Sequence, residues 1–266
     1  MGLTWSAHIS WLFGDQAFLD RVAAARRAGF RLVETTWPAP AEREGLPAAL
    51  AEQGVGVALL NCDAGAVHRG ERGFVNDPAR REEARDAFAA AVGLAARVGA
   101  PAVNVLVGRS LPGVSAAAQR AALIGNLRAF AAEADAHGVG VVIEPLNEIE
   151  NPGYLAPTPD AVVELIDACA PPAPIALLLD IYHVARAGGD PVAAIERHGE
   201  RIGHIQLADV PGRGMPGTGS LDFATILAAL DASVYDGAVG LEFEPHPDRD
   251  PPLEGLLRDA RLPVRA

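Results

Sequence analysis

Four short runs in the second half of the chain decide its reading: Val139-Gly-Val-Val-Ile-Glu144, Ile175-Ala-Leu-Leu-Leu-Asp180, Ile202-Gly-His-Ile-Gln206-Leu207 and Ala238-Val-Gly-Leu-Glu242-Phe243. Each is an apolar segment of strand length that runs into an oxygen-bearing side chain at or near its end. Helical patterns follow them or lie between them, at Pro159–Cys169, Pro191–His198 and Leu221–Leu230. Near-continuous apolar runs are what strands buried on both faces look like, and strands alternating with helices imply a parallel sheet.

The same rhythm extends toward the N-terminus. Thr4–Ser10, Phe30–Thr35, Val55–Asn61 and Ala102–Val107 read as strands. Asp15–Ala28, Ala41–Gln53, Pro78–Val98 and Ser115–His137 read as helices, with Gly29 and Gly54 as stops and Ser115 as an N-cap. Leu253–Ala260 supplies a last short helix. Eight such units in 266 residues favour one closed (β/α)₈ TIM barrel of α/β class, a single domain over 1–266, rather than an open doubly wound sheet.

Composition removes whole classes of function. All 22 Lys+Arg residues are arginine, so a Walker-type phosphate loop and Schiff-base chemistry, which both need lysine, are excluded. A formal charge of −12 argues against nucleic-acid and anionic-membrane partners. The two cysteines, Cys62 and Cys169, make neither a metal spacing nor a disulfide framework, which points to a reducing compartment. With no leader-like start and no long apolar run, the expected setting is cytoplasmic. Alanine-rich outer helices are compatible with a homo-oligomer.

In a barrel, side chains at the C-terminal ends of the strands line the mouth, where this fold carries its chemistry. Glu144, Asp180, Gln206 and Glu242 would therefore converge. An acidic residue ending one strand is ordinarily a solvated terminus or a helix cap, but four in succession are better read together. A thiol-free set of oxygen donors suits a hard cation, Mg²⁺ or Mn²⁺. Around it stand Glu150, six residues beyond Glu144, and His183, one helical turn beyond Asp180. Arg213 sits in the loop Pro211–Gly219, whose Gly/Pro content would let it close over a ligand. Asn61 ends the third strand, and His8 and Trp11 end the first and would wall the pocket.

Several segments match something known: Ile143-Glu-Pro-Leu-Asn147, Asp180-Ile-Tyr-His183, Gly203-His-Ile-Gln-Leu-Ala-Asp209 and Pro216-Gly-Thr-Gly219. With Leu12-Phe-Gly14, Gly70-Glu-Arg-Gly73 and Asn104-Val-Leu-Val-Gly108, the chain resembles the hydroxypyruvate isomerase family over nearly its whole length. That family is a branch of the xylose-isomerase-like barrels, with the ketose 3-epimerases as relatives, which carry histidine where this chain has Gln206. The resemblance implies a divalent metal held by Glu144, Asp180, Gln206 and Glu242. It implies that Glu144 and Glu242 are the proton-transferring pair. The implied reaction is the reversible conversion of hydroxypyruvate to 2-hydroxy-3-oxopropanoate (tartronate semialdehyde). A cation stabilises the charge that develops when a carbon-bound proton leaves, and two glutamates can move that proton between neighbouring carbons.

Three departures bear on substrate. Phe243-Glu244-Pro245 stands where the family reads Tyr-Lys-Pro, and Glu244, two residues from Glu242, should face the same pocket. Leu60 replaces a histidine at the end of the third strand, and Arg109 keeps the charge of a lysine after the fourth, as a further candidate substrate contact. A different hydroxy-carbonyl substrate, such as a sugar or sugar acid for an isomerase or epimerase, is the alternative to hydroxypyruvate. Beyond that lies a non-catalytic metabolite-binding barrel.

Overall fold

The computed structural model of the protein describes residues 3–246, 248, 250 and 253. The helix expected over 253–260 lies outside the described residues apart from Leu253. Eight parallel strands close on themselves in chain order, β1 (Thr4–His8), β2 (Leu32–Thr35), β3 (Gly56–Asn61), β4 (Ala102–Val105), β5 (Gly140–Ile143), β6 (Ile175–Asp180), β7 (Ile202–Leu207) and β8 (Ala238–Leu241). β8 pairs with β1 through Thr4–Ala7 and 238–241, which closes the barrel.

The helices are α1 (Asp20–Ala28), α2 (Pro40–Gln53), α3 (Arg81–Val98), α4 (Ala116–Ala136), α5 (Pro159–Cys169), α6 (Ile181–Arg186), α7 (Pro191–His198) and α8 (Phe223–Ala232). Their ends follow local chemistry. The two expected glycine stops, Gly29 and Gly54, adopt the left-handed conformation that spares a Cβ clash. Ser115 caps α4 by accepting from the Ala118 N–H, as expected, and Thr158 and Asp190 cap α5 and α7. The expected boundaries hold to the residue for α5, β6, α7 and β7; α2 starts one residue before its expected Ala41, α8 is shifted two residues past its expected Leu221–Leu230, and the other expectations run long. α1 starts at Asp20 rather than Asp15 because residues 9–19 form turns, and Pro78–Arg80 is a 3₁₀ turn ahead of α3. Among the described residues no helix is long and apolar enough to cross a membrane. Both cysteines are free and buried.

Side chains alternate inward and outward along each strand. The outward ones, Leu60, Val103, Ile143, Leu177 and Leu179 among them, join the helices in the main apolar core. Leu59, Val142 and Leu178 form a separate small cluster, with Ala102 and Ala176 against it. Two residues further along their strands, the same inward rows carry Asn61, Glu144 and Asp180. Along these three rows the barrel interior turns from apolar to polar toward its mouth, and a period of two places the strand-borne site residues on the inner face.

Candidate active site

A cavity of about 680 Å³ opens at the C-terminal ends of the strands, the size of a small-molecule site. Trp11, Asn61, Glu144, Glu150, His183 and Arg213 all line it, as do Glu242 and Glu244. Glu244 is the exposed one of that last pair, at the rim, so its two-residue spacing from Glu242 does bring it to the same pocket. Leu60 does not reach the pocket. It is fully buried in the outer core, because the inward position at the end of β3 belongs to Asn61. The expectation that the Leu60 replacement alters the pocket directly is therefore corrected. Arg109 is likewise absent from the cavity lining; one guanidinium nitrogen lies 3.5 Å from the Glu150 carbonyl oxygen.

The acids meet around one guanidinium. Arg213 Nη2 lies 3.0 Å from Asp180 Oδ2 and 2.9 Å from Glu242 Oε2, while its Nε donates to the Glu242 carbonyl at 3.0 Å. Trp11 and Tyr182 flank it, each ring centroid 4.9 Å away. The loop that carries Arg213 is tied down rather than loose. The Asp209 carboxylate accepts N–H bonds from Val210, Gly217, Gly219 and Leu221, so the Gly/Pro content serves turns wrapped around that side chain.

Each acid has a fixed part and a free part. Asp180 caps α6 with Oδ1, which accepts from the Tyr182 N–H at 2.8 Å, leaving Oδ2 for the site. Glu144 Oε2 accepts from Asn104 Nδ2 at 2.8 Å, leaving Oε1 at 3.6 Å from His183 Nε2. Burial first, then repulsion from Glu242 and Asp180, pushes the Glu144 carboxyl well above the carboxylate range. Burial raises the Asp180 carboxyl to about 7 even though Arg213 opposes it.

His183 is held at both ring nitrogens. Asn147 Oδ1 accepts from the Glu150 N–H at 3.0 Å, which turns its Nδ2 toward His183 Nδ1, 2.6 Å away. Nε2 faces the acids and also lies 3.3 Å from Arg213 Nη1, which can only donate, so donors approach both ring nitrogens. Burial, then the charges of Arg213 and Arg72, hold this imidazole well below its ordinary pKa, so it is neutral. Glu150 is held by Tyr182, by Arg186 at 3.1 Å and by Asn147 at 3.2 Å; these bonds outweigh its burial and keep its carboxyl below the usual range.

Donor chemistry at the mouth fits a divalent cation. Glu144, Asp180 and His183 bring one candidate ligand atom each within 4.8 Å of one another. Gln206 is buried, and its Oε1 has no hydrogen-bond partner. An unmet buried acceptor of this kind costs about 1–3 kcal/mol unless something takes it.

The sequence reading missed the partners beneath the mouth. Glu34 on β2 is fully buried, and its carboxylate is met by Ser6, by His204 Nε2 at 2.9 Å and by Gln206 Nε2 at 2.8 Å. Burial alone would raise its carboxyl, but His204, His8 and Ser6 lower it to about 2. The signal was present: Glu34 lies at the end of an apolar run like the four expected ligands, and His204 shares the inward row with Gln206. His8, fully buried, stands 3.7 Å from Glu242 Oε1.

Comparison with known proteins agrees with this architecture. Residues 22–262 match the xylose isomerase-like TIM barrel family. The chain is 36% identical to the hydroxypyruvate isomerase of Escherichia coli, over 91% of this chain and 94% of that protein. It is 34% identical to the 2-oxo-tetronate isomerase of Cupriavidus necator, over 91% and 92%. A crystal structure described as an AP endonuclease, family 2, from Brucella melitensis superposes with a TM-score of 0.90 at 29% identity, covering 100% of both chains. The chain thus belongs to the hydroxypyruvate isomerase family of xylose isomerase-like TIM barrels, and it is an isomerase.

Proposed function

We propose that this enzyme is a divalent-metal-dependent aldose–ketose isomerase that interconverts hydroxypyruvate and 2-hydroxy-3-oxopropanoate. The observation that carries the reading is the convergence of Glu144, Asp180 and Glu242, buried together at the barrel mouth around Arg213, in a chain 36% identical to a hydroxypyruvate isomerase.

Glu144, Asp180, Gln206 and Glu242 would hold the cation, Mg²⁺ or Mn²⁺ by donor type. When bound, it supplies positive charge next to oxygens that become negative as a carbon-bound proton leaves. Glu144 and Glu242 carry that proton from one carbon to the next; burial and mutual repulsion make a proton on Glu144 easy to hold and pass on. Arg213, a cation in the cavity lining, would pair with the substrate carboxylate. His183, in the cavity lining, faces the substrate oxygens, Asn61 and Glu150 contact the remaining polar groups, and Arg109 supports the Glu150 loop. Trp11 and Tyr182 shield the reacting centre from water.

A second reading, a longer sugar acid of the 2-oxo-tetronate kind, is favoured by Glu244. This acid at the cavity rim stands well for a substrate whose far end offers hydroxyls instead of charge. The test is turnover in deuterated water with Mg²⁺ or Mn²⁺, comparing wild type with Glu242→Gln by NMR. Hydroxypyruvate turned over with deuterium at the exchanging carbon, and at least about 100-fold slower in the variant, is the expected result. Turnover of the four-carbon acid alone would transfer the assignment to the second reading. No exchange on any hydroxy-carbonyl would overturn both.

A further inference from the structure

Glu34 takes no part in the chemistry proposed above, yet it touches the one neutral side chain in the ligand set. Its carboxylate fills space inside the barrel that exists because residue 240 is glycine: a Cβ there would stand 2.2 Å from Glu34 Oε1. Oε1 is occupied by Ser6 Oγ and by His204 Nε2 at 2.9 Å. Oε2 is left to Gln206, whose Nε2 lies 2.8 Å away.

An ionised carboxylate only accepts hydrogen bonds. Gln206 must therefore turn its NH₂ toward Glu34, and its Oε1 is left buried without a hydrogen-bond partner. The consequence is specific to an amide. Its two ends have nearly the same shape, but only the oxygen can donate a lone pair to a cation; an NH₂ in that place repels one. A glutamate needs no such guidance, because both of its oxygens are ligands. A glutamine ligand works only if something in the protein decides which end faces inward.

We propose that Glu34 is a positioning residue that acts through Gln206, fixing the amide so that Oε1 is presented as a metal ligand. This rests on the reading of Gln206 as one of the four ligands. Outer-shell groups of this kind typically alter metal affinity by about 10–100-fold.

The test is Mn²⁺ affinity of the metal-stripped full-length protein, read by electron paramagnetic resonance of free Mn²⁺, with thermal melting of the metal-free forms to verify folding. Glu34→Gln supplies an NH₂ as well as an oxygen, so the Gln206 amide loses its single orientation, and affinity should fall about 10–100-fold. Glu34→Asp keeps the charge but withdraws the acceptor by one methylene; it should also lose affinity, and it serves if the amide variant does not fold. The double variant Glu34→Gln, Gln206→Glu should recover affinity: the introduced NH₂ donates to one oxygen of the introduced carboxylate and leaves the other free. Gln206→Ala should bind weakly. If Gln206→Ala is weak while the folded Glu34 variants bind as wild type does, the positioning role is overturned and the ligand reading stands. A loss in the single variant that the double variant does not repair signals a general packing effect and also overturns it. Wild-type affinity in Gln206→Ala, or no binding by wild type, would remove the ligand reading and this inference together.

Discussion

Glu34 and Glu144 are buried carboxylates inside the same barrel, at two levels of its interior, and their surroundings push them in opposite directions. Glu34 lies among hydrogen-bond donors, Ser6, His204 and Gln206, and its carboxyl is lowered to about 2. Glu144 has one donor, Asn104, and lies near two other acids, which with burial raise it well above the ordinary range. Burial is common to both, so the neighbours decide the difference. A carboxylate surrounded by donors is complete as it stands. A carboxylate grouped with other carboxylates is incomplete, and Arg213, bridging Asp180 and Glu242, neutralises only part of that charge. The lower centre is satisfied by its own donors; the upper one leaves negative charge that the proposed cation would meet.

The largest effect that separates the two centres comes from Glu144→Gln. With Glu144 as the proposed proton-transfer group, the change should lower kcat by about 10²–10⁴-fold. Because the change also removes one of several repelling acids, the metal-free protein should melt at the same temperature or higher. A variant that loses activity through a markedly lower melting point would break the comparison, since Glu144 would then be doing the same job as Glu34.

A smaller effect is expected at acid pH. The Glu34 carboxyl is held below its unfolded value of 4.5, at about 2, so its stabilising contribution is fully present above pH 4.5 and is lost as the pH falls through the folded value. The contribution is about 3 kcal/mol, at about 1.4 kcal/mol per pH unit. Chemical denaturation followed between pH 5 and 2 should lose that amount in wild type and much less in Glu34→Gln. An equal loss in both would mean that the Glu34 network is not what sharpens the acid transition.

How much of this was legible in the sequence differs between the two centres for a physical reason. Asp180 and Gln206 were readable because each stands at or near the end of a largely apolar strand, unbroken in β6 and interrupted by His204 in β7. Glu144 and Glu242 were readable on the same rule, although both lie one residue beyond the strand proper. Glu34 follows a shorter run, Leu-Val, in a four-residue strand where a polar residue looks solvated. Its meaning comes from His204 and Gln206, 170 and 172 residues away, and no local pattern reports that contact. Leu60 was misplaced for the converse reason: one position separates the inward from the outward row, and the structure gives the inward place to Asn61. Arg213 was expected in a mobile loop, and the four N–H bonds to Asp209 that order that loop depend on backbone geometry rather than residue type.

The most direct measurement is a crystal structure of the protein grown with Mn²⁺, with anomalous scattering used to locate the ion. The account predicts one peak per chain at the barrel mouth, ligated by oxygens of Glu144, Asp180, Gln206 and Glu242, with the Arg213 guanidinium moved off Asp180 and Glu242. A peak held by Glu144, Asp180 and His183 with Gln206 turned away, or no peak at the mouth at all, would contradict it.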